Sequence, residues 1–534
     1  MYMKVDVVIK NGLVIDGSGK KGKHQLVAIK HDRIFLPKND SEVEAERVVD
    51  AAGLVIAPGF IDIHTHSDLT LLVDSRGASK VSQGVTTEII GNCGMAVAPC
   101  PPKSKAHMIE TGSFIYSDEV EWFWENYKEY LKQFDVKGIS MNVGFLLGHG
   151  AIRTAAMGLE DRKPTTAEME RMKQFVAEGM EQGAVGLSSG LVYPPGMFAD
   201  VEELAELCKV VVEYGGIYST HMRDEEDHLL DSIEESIDVA RRSNVSLQVS
   251  HLKAVGRQNW GKVVQAIERL EEARKEGINA HYDFYPYPAS STSLTSQLPK
   301  WVHDGGWTKM AERITTPETR EKIVKEVNPH IESSVGWHSI IVASVNTDAN
   351  KGYEGKNLDE ISVLKQMSPM EAMLDLIYEE KGAVKMVKFS MCEEDVATVA
   401  AGKLSMVGSD GYALAKEGPL SKGKPHPRSY GSFPRVFRKY QREQKLFSLE
   451  EAIYKMTGSV AEKLSFTDRG LIKQGFVADL VLFDPSEVKD MATYTDPHQY
   501  SEGIHSVYVS GKKAYELGEF LDPKSGVLVK PSSV

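Results

Sequence analysis

Two histidines thirty residues apart, His221 and His251, each close a short apolar strand, and each strand is followed by an amphipathic helix. The segments GGIYSTHMRDE, DHLLDSIEESIDVARRSN, VSLQVSHLK, NWGKVVQAIERLEEARKEG and INAHYDFYPY run strand, helix, strand, helix, strand. The helical pieces place apolar residues at three- and four-residue intervals, and the strand pieces are short and apolar-rich. Such alternation predicts a parallel sheet. Eight segments of the chain qualify as its strands: IDIHTH, TTEIIGN, VGFLLGHG, AVGLSSG, IYSTHM, LQVSH, NAHYDFY and LSMVGSD. Eight is the count of a closed TIM-type (β/α)8 barrel. The spacing breaks once, between the seventh and eighth, where roughly 120 residues intervene and SIIVASV and VKMVKFSM also read as strands. That excess predicts an inserted subdomain over 289–390, with either extra strand open to membership of the barrel instead.

The two chain ends have a different texture. VDVVIKNGLVIDGSGK, HQLVAIKHDRIF, ADLVLFDP and HSVYVSGKKAYELGEF alternate with period two and break at Ser-Gly and Asp-Pro turns. A short sheet buries too little to stand alone, so both ends are expected to join in one small β domain, a sandwich of residues 1–58 and 466–534. The barrel then takes 59–288 and 391–465. The charge balance of 62 basic against 76 acidic residues, net −14, disfavours a nucleic-acid or anionic-membrane partner. No apolar run of about 18 residues predicts a membrane span, and the N-terminus lacks the apolar core of a secretion signal. Four scattered cysteines, Cys93, Cys100, Cys208 and Cys392, do not make a disulfide framework. A reducing, cytoplasmic setting is expected.

Barrel chemistry gathers at the C-terminal ends of the strands, and the candidate ligands stand there. In PGFIDIHTHSDL, strand geometry puts His64 and His66 on one face and Ile61, Ile63 and Thr65 on the other. Cys93 ends the second strand, His221 the fifth, His251 the sixth and Asp410 the eighth. Four histidines, a cysteine and an aspartate at one barrel mouth predict a metal centre, and imidazole with thiolate favours zinc. Cys100, Cys208 and Cys392 read as small buried hydrophobes or a loop thiol.

PGFIDIHTHSD, GVTTEIIGNCG, the two single histidines and the late GSDG resemble the amidohydrolase superfamily. GLSSGLVYPPGMFA, SHLKAVGRQNWGK, YPYPASST and HPRSYGSFPRVF narrow the resemblance to the D-aminoacylase, or N-acyl-D-amino-acid deacylase, family. The resemblance implies a tightly held zinc on Cys93, His221 and His251. It also implies a weaker second divalent site on His64 and His66, with Cys93 and Asp410 shared. Asp410 is implied as the general base and acid of a metal-assisted amide hydrolysis. For the substrate carboxylate the family-like candidates are Lys253, Tyr285 and Arg428, with Ser291 as a fourth. The expected partner is a small molecule, an N-acyl-D-amino acid; an oligomer is compatible. Arg313, Lys300 and Lys309 in the inserted region are the basic residues available for an acidic side chain. The alternatives are a cyclic-amide hydrolase of the hydantoinase or dihydropyrimidinase type, a D-specific dipeptidase, and a non-catalytic amidohydrolase-like binding protein.

Overall fold

A computed structural model describes residues 3–111 and 119–532. Eight parallel strands form its centre: β1 (Phe60–Asp62), β2 (Val85–Ile90), β3 (Asn142–Gly148), β4 (Gly186–Gly190), β5 (Ile217–His221), β6 (Ser246–Val249), β7 (Ala280–Phe284) and β8 (Ser405–Val407). These are the eight segments expected from sequence. Each pairs in parallel with its neighbour, and β7 pairs directly with β8 through Tyr282 and Ser405. The ring closes just past the ends of β1 and β8. There the Asp410 amide donates to the His64 carbonyl at 2.8 Å, and the His66 amide to the Gly411 carbonyl at 2.9 Å.

The outer helices are held by burial more than by propensity. Helix Leu229–Ser243 buries Leu229, Ile233, Ile237 and Ala240, one stripe at three- and four-residue spacing, and turns Arg241 and Arg242 outward at its C-terminal end. Each large apolar side chain so buried contributes about 1.5–3 kcal/mol. Differences in helix propensity are below about 1 kcal/mol per residue, so packing decides where the helix lies.

The two chain ends meet as expected. Val55–Pro58 pairs antiparallel with Leu480–Phe483 and parallel with Leu13–Val14, inside a seven-stranded sheet drawn from both termini. A four-stranded sheet from the N-terminal segment covers it, with Ile9, Val27, Ile29, Ile56, Leu480 and Leu482 buried in between. The long gap between β7 and β8 holds a three-stranded antiparallel sheet, Ala289–Ser293, Lys385–Phe389 and Ile340–Ser344, with Lys385–Phe389 central. Its own apolar core includes Leu294, Ile314, Ile340 and Ile377. Both extra strands belong to this sheet and neither to the barrel.

Buried histidines make the fold acid-sensitive. Burial pushes the imidazole of His303 down to about 4, while in the unfolded chain it protonates near about 6.5. Below that pH the unfolded state binds the proton and the folded state does not, so stability falls as pH drops. At about pH 5.5 this one ring removes about 1.4 kcal/mol. Asp68, a buried carboxyl pushed up to about 7, works in the opposite sense over this range. The contribution of His303 is therefore read as the melting temperature of the parent minus that of a His303→Gln variant, which should decline between about pH 7.5 and about pH 5.5. A difference that stays flat over that window would contradict the buried, neutral ring.

Candidate metal centre and substrate cavity

The six expected ligands all follow barrel strands at their C-terminal ends, but only some converge. The ligand atoms of His64, Cys93, His251 and Asp410 lie within 4.8 Å of one another, all buried. His64 Nε2 is 3.2 Å from Cys93 Sγ and 3.5 Å from Asp410 Oδ1, and Cys93 Sγ is 3.7 Å from His251 Nε2. His66 reaches the group through Asp410, with Nε2 2.9 Å from Oδ1. His221 stands edge-on to His251, ring centroids 4.4 Å apart, and groups with His251 and Glu225 as a second potential ion-holding set. The His64 and His66 rings are 5.5 Å apart, near each other as expected. They lie beyond the last residue of β1, however, and the hydrogen bonds to Asp410 and Gly411 fix them in place of strand pleating.

The backbone is bent to bring these side chains in. Cys93, His251 and Asp410 take positive φ, 55°, 34° and 51°. For non-glycine residues this region costs of order 1–3 kcal/mol each and persists only where surrounding contacts impose it. Room for the Cys93 turn comes from Gly190, where a Cβ would lie 2.0 Å from the Cys93 carbonyl oxygen.

A shell of buried polar groups orients the ligands. Asp283 at the end of β7 lies 3.0 Å from His64 Nδ1 through Oδ1, and accepts from the His251 amide at 2.8 Å and from Gln248 at 3.0 Å. Below Asp410, Lys80 pairs with Asp62 (2.8 Å) and Glu88 (3.0 Å) and donates to Ser409 Oγ at 2.6 Å. Glu225 carries Lys253 at 2.7 Å and lies 3.0 Å from His251 Nδ1. The sequence reading missed Asp283, Glu225 and Lys80. A signal existed for Asp283, a charge inside an apolar strand, and for Glu225, one helical turn's spacing after His221. None existed for Lys80.

Burial lowers the pKa of His66 to about 4 and those of His221 and His251 well below the ordinary imidazole value. These rings are neutral at physiological pH and offer lone pairs. Burial also works against charge on His64, yet Cys93, Asp283 and Asp410 together push its pKa well above the usual value. Burial raises the Cys93 thiol. Asp410 is held far below the ordinary carboxylate range, because Arg428, His64 and His66 outweigh its desolvation. Three acidic groups around a few imidazoles form a site that favours added positive charge. Among the described residues, His221 Nδ1 is a buried nitrogen with no hydrogen-bond partner. Soft sulfur with imidazole nitrogen fits zinc better than magnesium or calcium, which take oxygen ligands.

A cavity of about 280 Å³ opens onto this cluster, lined by His66, Cys93, His221, His251 and Asp410 and also by Lys253, Tyr285 and Ser291. The Tyr285 hydroxyl is buried without a partner among the described residues. Arg428 lies behind Asp410 instead, its Nη1 2.8 Å from Oδ2 and its Nη2 donating to the Ser291 carbonyl at 3.0 Å. It lines a neighbouring cavity of about 430 Å³. Arg313, Lys300 and Lys309 line neither cavity. The basic residue of the inserted sheet that does reach the first is Lys388, already paired with Glu226 at 3.3 Å.

Residues 47–515 match the amidohydrolase family profile. The chain is 34% identical to D-aminoacylase of Alcaligenes xylosoxydans xylosoxydans over 98% of its own length and 96% of that protein. The chain belongs to the amidohydrolase family, on its D-aminoacylase branch. It is 33% identical to N-acyl-D-glutamate deacylase of the same organism, over 96% of this chain and 94% of that one. The crystal structure of N-acyl-D-glutamate deacylase from Bordetella bronchiseptica, in complex with zinc and a phosphonate mimic of the tetrahedral intermediate, superposes with a TM-score of 0.84. That match is 30% identical and covers 99% of this chain and 100% of the other. Hydantoinase structures match at 16% identity or lower, a likeness of fold alone.

Proposed function

We propose that this amidohydrolase removes the N-acyl group from N-acyl-D-amino acids in a zinc-dependent hydrolysis. The observation that carries the reading is the buried thiol, imidazole and carboxylate cluster at a cavity also lined by the Lys253 ammonium and by the Tyr285 hydroxyl, which has no hydrogen-bond partner among the described residues. Cys93, His221 and His251 would hold the tighter zinc. His64 and His66, sharing Cys93 and Asp410, would hold a weaker second ion. Zinc so bound supplies Lewis acidity and lowers the pKa of water from about 15.7 towards about 7.

Asp410 is the proton carrier in this reading. Its depressed pKa keeps it ionised at neutral pH, so it can accept the proton of the attacking water. Arg428 holds Oδ2 and leaves Oδ1 turned to the cluster. Asp410 then returns the proton to the departing nitrogen, which leaves poorly unless protonated. Lys253 Nζ, Tyr285 Oη and Ser291 Oγ, which line the same cavity, would bind the substrate carboxylate. With the carboxylate and the scissile amide both held, the hand would be set by which cavity wall meets the Cα side chain. The four cysteines stand as free thiols, which fits a reducing, cytoplasmic setting.

The reading is tested by an amine-release assay on paired enantiomers of N-acetyl methionine, leucine and glutamate with zinc-loaded enzyme. At least one D-compound should be hydrolysed with kcat/KM no less than about a hundredfold above its L-partner, a discrimination of about 2.7 kcal/mol. Equal rates on both hands would remove the proposal, and so would hydrolysis of hydantoin alone.

A further inference from the structure

Glu225 is a buried carboxylate within reach of both proposed ligand histidines, His221 and His251, and of the Lys253 ammonium. Oε1 lies 2.7 Å from the Lys253 ammonium and 3.0 Å from His251 Nδ1, and Oε2 lies 3.6 Å from His221 Nε2. The carboxylate is 9% exposed and lines the cavity. Its main chain is anchored too, since the carbonyl accepts from the Val255 amide at 2.8 Å. His251 turns its other nitrogen, Nε2, to Cys93. Glu225 therefore stands on the outer edge of that ring, away from the thiol.

The ring has a choice that these contacts decide. A neutral imidazole carries one N–H. If Nδ1 holds it and donates to Glu225, the Nε2 lone pair faces Cys93 and is free for a metal, the arrangement that outer carboxylates commonly impose on ligating histidines. The Lys253 ammonium, however, is 2.8 Å from the same Nδ1. Lysine can only donate, so a hydrogen bond from Lys253 would require a lone pair at Nδ1 and move the N–H to Nε2, where it blocks ligation. Glu225 and Lys253 thus favour opposite tautomers of one ring.

We infer that Glu225 is a positioning residue that keeps His251 in its metal-binding tautomer by accepting from Nδ1 and drawing the Lys253 ammonium to itself. The inference rests on the functional reading above in taking His251 as a zinc ligand and Lys253 as the carboxylate anchor. It links the two halves of the site. A substrate carboxylate that engages Lys253 removes the competing donor from Nδ1 and so favours zinc binding.

The test measures zinc affinity by chelator competition on the full chain, with KM for N-acetyl-D-methionine alongside. Glu225→Gln removes the charge, and zinc affinity should fall roughly 10–100-fold while KM rises. Lys253→Met should raise KM without weakening zinc. The double variant should regain most of the lost zinc affinity, because the competing donor is gone. A merely structural Glu225 would give no such recovery. Zinc affinity in Glu225→Gln within threefold of the parent would overturn the inference, as would a double variant no better than Glu225→Gln. If Glu225→Gln does not fold, Glu225→Asp and its Lys253→Met double variant make the same comparison. If the parent enzyme hydrolyses no N-acyl-D-amino acid, the functional reading fails on that result alone, and the zinc measurements still decide the role of Glu225.

Discussion

Replacing Asp410 with asparagine should cut kcat roughly a hundred- to ten-thousandfold, with the tighter zinc still bound. Asparagine keeps the shape and one acceptor oxygen but cannot take or return a proton. The tighter zinc would rest on Cys93, His221 and His251, none of which the substitution alters. Stability should suffer as well. Arg428 and Asp410 form a buried pair 2.8 Å apart, with the arginine side chain 2% exposed. Removing one partner of such a pair costs about 3–5 kcal/mol, because the other charge stays buried. Arg428 retains the Ser291 carbonyl and the face of Tyr285, 4.9 Å away, which cushions part of that cost. Turnover under saturating substrate, zinc content and melting temperature separate the two effects. Near-normal kcat in a folded, zinc-loaded variant would mean the proton is carried elsewhere.

Cys93→Ser should lose metal and turnover together, down to background. The sulfur sits between His64 Nε2 and His251 Nε2, so both proposed ion positions draw on it. Burial alone keeps the thiol protonated; a cation is what makes the thiolate, the better ligand, available. A serine hydroxyl at the same place is a far weaker acid and a harder donor. The two variants should therefore diverge. Asp410→Asn keeps zinc and loses chemistry, and Cys93→Ser loses both.

Much of this was legible in the sequence because local rules govern it. Strand–helix alternation gave all eight barrel strands, and the strand-end rule put His64, His66, Cys93, His221, His251 and Asp410 at one mouth. The pairing of extra strands was not legible. Periodicity marks VKMVKFSM as a strand but carries no information on its partners, and Ala289–Ser293 lies almost a hundred residues earlier in the chain. Nor could the ring's closure be read, since it depends on main-chain bonds between Asp410 or Gly411 and the His64–His66 segment. GNCG and GSDG advertise tight turns by their glycines, yet positive φ falls on Cys93 besides Gly91 and Gly94, and in GSDG on Asp410 and on neither glycine. Arg428 was expected on the substrate; it stands behind Asp410, a distinction set by which loop packs over which. Lys80, Asp62 and Glu88 form a buried charge group only because three separate elements converge, and no spacing in the sequence encodes that.

Zinc-edge X-ray absorption on the purified, zinc-loaded protein tests the central claim most directly. The account predicts a sulfur scatterer at about 2.3 Å beside nitrogen or oxygen at about 2.0–2.1 Å, with the sulfur signal absent from Cys93→Ser reconstituted with excess zinc. A parent spectrum with nitrogen and oxygen alone, or a sulfur signal that survives the substitution, would contradict it.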